Sequence, residues 1–242
     1  MKLGFGLMQS MAVLCMVFLL CACNDEQELA ATIKQAFKES PEKLIDYKAA
    51  RQVFWQEVYP GGGVTLYCGR PFLPKARRSF NIEHVFPMSW ATNGLNCGKR
   101  QQCRARSDIF NIIEADLHNL YPARTDVNRA RDSFRFGEVA GESRRYGQEC
   151  DFEVDAKNRV AEPREQVRGD IARAMFYMAT EYQQQGLELF KRQAKLLAKW
   201  NDLDPPSKQE LRRNDRIEKI QGNRNPYIDN PQAVSAILKQ WY

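Results

Sequence analysis

Residues 80–87 read Phe80-Asn81-Ile82-Glu83-His84-Val85-Phe86-Pro87. The run is short, rich in β-branched and aromatic side chains and bounded by turn formers, which predicts a strand over 80–86. A regular strand sends Glu83 and His84 to opposite faces, so a site that uses both requires a bend or loop, and the following proline favours such a break. Downstream, Asp116-Leu117-His118-Asn119-Leu120-Tyr121-Pro122 leads to Asp126-Val127-Asn128-Arg129-Ala130-Arg131, the opening of a helix with amide and guanidinium groups on adjoining turns. His84 and His118 are the only histidines, and the chain has no Gly-rich phosphate loop or HExxH helix. The chemistry therefore has few other places to reside.

The surroundings are basic. Residues 69–108 hold eight cationic side chains (Arg70, Lys75, Arg77, Arg78, Lys99, Arg100, Arg104, Arg106) against Glu83 and Asp108, a net of 8 − 2 = +6 that equals the surplus of all 242 residues. Such a surplus suits an anionic partner, nucleic acid or a lipid surface. With 43% hydrophobic and 27% charged residues, 14 Gly and 11 Pro, the chain is neither disordered nor collagen-like, coiled-coil, low-complexity or a multi-span membrane protein.

Lys2 followed by an uncharged, mostly apolar run over 3–22 predicts a signal peptide over 1–22, with a membrane anchor as the competing reading. Leu20-Cys21-Ala22-Cys23 resembles a bacterial lipobox, which implies acylation of Cys23; the alternative is cleavage nearby and release. The chain is then exported, to the periplasm or cell envelope with a lipid anchor, or secreted. Outside the cytoplasm thiols pair. Cys68, Cys97, Cys103 and Cys150 allow three pairings, and the short spacing of Cys97 and Cys103 favours a local staple that leaves Cys68 with Cys150. A zinc site is disfavoured, since no Cys-x2-Cys or His-x3–5-His pair is present.

Leu29, Ile33 and Phe37 stand at four-residue steps, predicting a helix over 27–39. Ser40-Pro41-Glu42 reads as the cap of a second helix with Leu44, Ile45, Ala49 and Phe54 inward, and residues 64–68 as a strand. Val167, Ile171, Ala174, Met175, Met178 and Tyr182 form the apolar face of a scaffold helix. A further helix over 189–200 ends at Asp204-Pro205-Pro206, and Ser207 with Glu210 fits a capping box. With no repeat or clean linker, residues 23–242 read as one domain.

The run Glu83-His84-Val85-x-Pro87-x-x-Trp90, then Asp116-Leu117-His118-Asn119-Leu120-x-Pro122, then Val127-Asn128-x-x-Arg131-x-x-Phe134 resembles the bacterial endonuclease I family. The resemblance continues through Tyr146-Gly147-Gln148-x-Cys150, Arg168-Gly169-x-Ile171-Ala172-Arg173 and Gln221-Gly222-Asn223-Arg224-Asn225-Pro226-Tyr227, covering most of residues 64–228. It implies an α+β fold whose ββα-metal, or His-Me finger, core holds a short antiparallel sheet enclosed by helices. It also implies a monomeric, sequence-nonspecific endonuclease that hydrolyses DNA and RNA to 5′-phosphate products.

By position, the resemblance implies His84 as general base, suited by an imidazole whose pKa near 6.5 lets it accept a proton from water if a backbone carbonyl orients its other nitrogen. It makes Glu83 and Asn128 the ligands of one divalent ion, Mg2+ first, with Ca2+ or Mn2+ as alternatives, because a carboxylate and an amide oxygen completed by waters suit a hard cation. Arg100, or Lys99 in its place, matches the product-phosphate cation, and Glu114, His118, Asn119 and Arg131 lie around the motif as supporting groups. The plainer readings are a surface acid paired with an arginine for Glu83, and a helix cap for Asn128. Two other classes compete: a lipid-anchored nucleic-acid-binding protein without turnover, and a structural envelope lipoprotein whose basic surface meets acidic lipids.

Overall fold

The computed structural model describes residues 46–74, 79–141 and 143–242. The signal segment, Cys23, the helix over 27–39, Leu44, Ile45, Lys75, Arg77 and Arg78 lie outside the described residues. Asp46 caps helix α1 (Tyr47–Val53), accepting the Ala49 N–H at 2.8 Å. The chain continues into a wider π turn, Phe54–Val58. Ala50, Phe54 and Val58, at four-residue steps, are buried. Ala49, expected inward, is exposed because this stripe runs one residue later.

Strands β1 (Gly63–Val64) and β2 (Pro71–Phe72) form a two-residue antiparallel ladder. The strand expected over 64–68 stops at Val64, because Thr65 closes a turn. Its N–H donates to the Arg70 carbonyl at 2.9 Å and its hydroxyl accepts the Arg70 N–H at 3.0 Å, with Gly69 at φ 62°. The turn brings Tyr67 inside and joins Cys68 to Cys150; the second disulfide is Cys97–Cys103. With all four paired, none is a thiolate for zinc.

Strand β3 (Phe80–His84) precedes helices α2 (Met88–Gly94), α3 (Arg100–Arg106) and α4 (Asp108–Ala115). Strand β4 (Leu120–Arg124) then returns antiparallel to β3 and runs directly into helix α5 (Thr125–Arg131), which packs on both strands. Pro122 sits mid-strand without cost because it faces Ile82 at a non-hydrogen-bonded position: the Pro122 carbonyl accepts from the Leu66 N–H at 2.8 Å, on the side away from β3. By the same alternation Ile82 turns its carbonyl outward, to the edge of β3 that no strand among the described residues covers.

Strands β5 (Arg135–Phe136), β6 (Phe152–Asp155) and β7 (Val160–Pro163) form a third sheet in the order β5-β7-β6, with β5 parallel to β7. Helix α6 (Arg168–Glu181) runs through the main core, packed against α7 (Lys191–Leu203), with α8 (Lys208–Gln221), α9 (Pro226–Asp229) and α10 (Ala233–Trp241) closing the C-terminal side. All six residues of the expected apolar face are buried, and so are Ala172, Arg173 and Phe176 outside it. Arg173 donates to Glu210 at 2.8 and 2.6 Å. Ser207 caps α8 by accepting the Glu210 N–H at 3.1 Å, but the Glu210 carboxylate serves Arg173 instead of completing the box. A buried guanidinium requires a counter-charge more than an exposed cap requires a second bond. The described residues thus make a mixed α+β molecule of ten α-helices and short strands.

Candidate active site

Glu83 and His84 stay in register to the end of β3, opposite Tyr121 and Leu120. The strand neither bends nor breaks, and the two side chains reach opposite partners as alternation requires. They nonetheless line one cleft of 710 Å³, since it wraps the uncovered edge of β3 and is reached from both faces. Asn128, Lys99, Arg100 and Arg104 line the same cleft.

Glu83 is buried, its Oε1 accepting from the Tyr67 hydroxyl at 2.6 Å and from Arg131 Nη1 at 3.0 Å. Burial raises its pKa, and the Arg131 charge and the two hydrogen bonds offset part of that rise. The arginine pairing expected of Glu83 is present, but not the surface position. Arg131 also donates to the His84 and Val85 carbonyls at 3.1 and 2.7 Å and lies 4.6 Å above the Phe136 ring. One buried side chain thereby fixes three consecutive residues at the end of β3.

His84 Nε2 lies 3.0 Å from the Glu114 carbonyl oxygen. A carbonyl only accepts, so Nε2 carries the proton and Nδ1 keeps the lone pair. Burial foremost, with the charge of Arg100, lowers the pKa to about 4 and keeps the ring neutral at pH 7. The Tyr47 ring packs beside it, centroids 4.9 Å apart. The carbonyl partner is the kind expected from sequence.

The Glu114 side chain does separate work. Arg100 donates to it, as does Arg104 at 2.6 and 2.8 Å. Burial opposes its ionisation, but these two guanidiniums outweigh burial and lower its pKa. Two cations share one carboxylate, leaving 2 − 1 = +1 at the mouth of the cleft.

Asn128 lies within α5, whose N-cap is Arg124, so it is not the helix cap. Its Nδ2 donates to Asn81 Oδ1 at 2.9 Å and to the outward Ile82 carbonyl at 3.2 Å. A bond to a carbonyl fixes the amide nitrogen on the strand side and leaves Oδ1 as the other end of the group. One carboxylate and one amide oxygen, on adjoining elements of one cleft, form a fitting donor set for a hard cation that keeps most of its waters. No cluster of three or more His, Cys, Asp or Glu suited to a metal occurs among the described residues, so a borrowed zinc-type cage is not among them.

The sequence pattern described as Endonuclease I matches residues 63–232. The chain belongs to the endonuclease I family. It is 40% identical over 212 residues to an extracellular deoxyribonuclease of Aeromonas hydrophila, covering 78% of this chain and 90% of that one. A periplasmic deoxyribonuclease of the same organism is 42% identical over 67% of this chain and 69% of its own length. An extracellular ribonuclease of Bacillus amyloliquefaciens is 37% identical over 65% of this chain and 53% of its own.

In this endonuclease I chain, Glu83, His84, Arg100 and Asn128 meet at one cleft, with Glu114 and Arg131 directly behind them. Asn119 stands behind β3, its amide exchanging bonds of 2.7 and 3.1 Å with the Phe86 backbone and so fixing the chain just after His84. His118 is placed elsewhere: it does not line the cleft, and its Nε2 lies 3.1 Å from the Asn223 carbonyl. Tyr67, Tyr47 and Arg104 are further partners of the site, on Glu83, His84 and Glu114 respectively. Only Arg104 left a signal in the sequence, one turn beyond Arg100 on the same helical face.

Proposed function

We propose that this chain is an exported, divalent-metal-dependent endonuclease with little sequence preference, which hydrolyses DNA and RNA phosphodiesters to 5′-phosphate products. The observation that carries the reading is the pinned imidazole: His84 holds its proton on Nε2 against the Glu114 carbonyl and so keeps the Nδ1 lone pair for accepting a proton, in the cleft that also holds Glu83 and Asn128. Relatives named as extracellular and periplasmic deoxyribonucleases and as an extracellular ribonuclease support a nuclease and export.

Glu83 and Asn128 Oδ1 would hold one ion, Mg2+ foremost. A bound divalent ion supplies Lewis-acid stabilisation of the charge that grows on the phosphate and on the departing 3′ oxygen. Arg131 and Tyr67 favour the carboxylate form of Glu83 against its burial and aim it. His84 Nδ1 takes the proton of the attacking water. Arg100, with Arg104 beside it, receives the phosphate through paired guanidinium donors, while Glu114 holds both side chains extended toward the cleft. Because these groups address phosphate, a unit common to every nucleotide, little base preference follows.

A supercoiled plasmid tests the reading. Wild-type protein with Mg2+ should cut it, chelator should stop the cutting, and His84→Ala should slow it by about 10²–10⁴ while binding at low salt persists. An equally active alanine variant overturns the mechanism. Binding without cleavage by the wild type favours the anchored binding protein instead.

A further inference from the structure

Beside the cleft lies a second hollow, of 600 Å³, which none of the groups above uses. Its aromatic wall is Trp90, on the same helix as cleft residues Met88 and Thr92, and Phe190, which is 66% exposed. Their ring centroids are 6.3 Å apart in an edge-on arrangement. Trp90 is anchored from below by Phe86, at 5.6 Å. Phe190 is therefore a large apolar face presented to water, beside a firmly seated indole.

The rim is cationic. Arg135, Arg159 and Arg192 line the hollow against one acid, Glu138, a net of 3 − 1 = +2. The hollow is continuous with the cleft through Ser133, which lines both and accepts from Arg159 Nη2 at 3.1 Å.

Aromatic faces interleaved with arginines suit single-stranded nucleic acid, in which bases stack on rings and guanidiniums follow the phosphates. A paired base inside a duplex has both faces covered and cannot reach Phe190; an unpaired one can.

We propose that the Trp90–Phe190 hollow is a binding subsite for one unpaired nucleotide adjoining the scissile phosphate, the base covering the Phe190 face and Arg159 and Arg192 flanking its phosphates. The inference rests on the nuclease reading of the adjoining cleft. It adds a preference for single-stranded or locally opened substrate that phosphate contacts alone do not provide.

The test is binding of fluorescent 12-nucleotide single strands and the matching 12-base-pair duplex, measured by anisotropy in chelator so that nothing is cut. Phe190→Ala should weaken single-strand binding about 5- to 30-fold and duplex binding several-fold less, and Phe190→Trp should restore it. Leu203→Ala, an equally exposed apolar truncation outside the hollow, should change neither. Unchanged single-strand affinity in Phe190→Ala, or equal losses for single strand and duplex, overturns the subsite. Because no cleavage is read, those outcomes are separate from failure of the catalytic reading, which shows in the plasmid assay.

Discussion

The two histidines occupy near-matching surroundings on different sides of the β3–β4 pair. Both are buried, both rest Nε2 on a backbone carbonyl, Glu114 at 3.0 Å and Asn223 at 3.1 Å, and burial lowers the pKa of both to about 4. His84 borders an open cleft with cations across it. His118 packs against Tyr177, centroids 4.6 Å apart, and its Nδ1 is buried without a partner. A depressed pKa and an oriented ring therefore do not distinguish a base from a structural imidazole; access to the remaining nitrogen does.

The sharpest way to break this comparison is to truncate both. His84→Ala should cost about 10²–10⁴ in cleavage rate, and His118→Ala should act mainly through thermal stability, with its rate per folded molecule reduced less than tenfold. Comparable rate losses in single-turnover kinetics would erase the distinction.

Next in size is the network around His118. Asp116 accepts from the His118 N–H at 2.9 Å, the Tyr177 and Tyr182 hydroxyls at 2.9 and 2.6 Å, and Gln221 Nε2 at 3.0 Å. Asp116→Ala would remove the acceptor of the His118 N–H and of both tyrosine hydroxyls and one of the two acceptors of Gln221 Nε2, and should destabilise the fold by about 3 kcal/mol or more, read from denaturant melts.

The pH dependence of stability sharpens the comparison further. The folded state refuses His118 a proton that the unfolded chain accepts below about 6.5, chiefly through burial, with Arg213 and Arg224 adding to the effect and Asp116 opposing it. Stability is thus full above that pH and falls as pH drops toward 4, by on the order of 3 kcal/mol for this group. His118→Phe should remove that portion of the slope between pH 6.5 and 4; an unchanged slope would show that His118 does not carry it. The smallest effect belongs to Arg104→Ala, which should reduce the salt slope of DNA binding by about one, measured by titration across salt concentrations.

What was legible in the sequence was local or chemically constrained. Cys97 and Cys103 pair across a short interval, the α6 face follows a helical period, and an imidazole held in one tautomer requires an acceptor behind it, here the Glu114 carbonyl for His84. What was not legible depends on chain reversals. The run over 64–68 has the composition of a strand, but Thr65 and Gly69 turn it, and only that turn places Tyr67 on Glu83. Likewise, Glu83 and His84 share a cleft without any bend, because no third strand among the described residues covers the edge of β3, a property of the sheet that no five-residue window contains.

The bond from Asn128 to the Ile82 carbonyl gives a structural reason for an amide, and not a carboxylate, at this position. Aspartate there would set its own lone pairs against that carbonyl and push the helix away from the strand edge. Asparagine is two-ended: one planar group grips the scaffold with its hydrogens and offers its oxygen to whatever enters, trading charge for fixed aim.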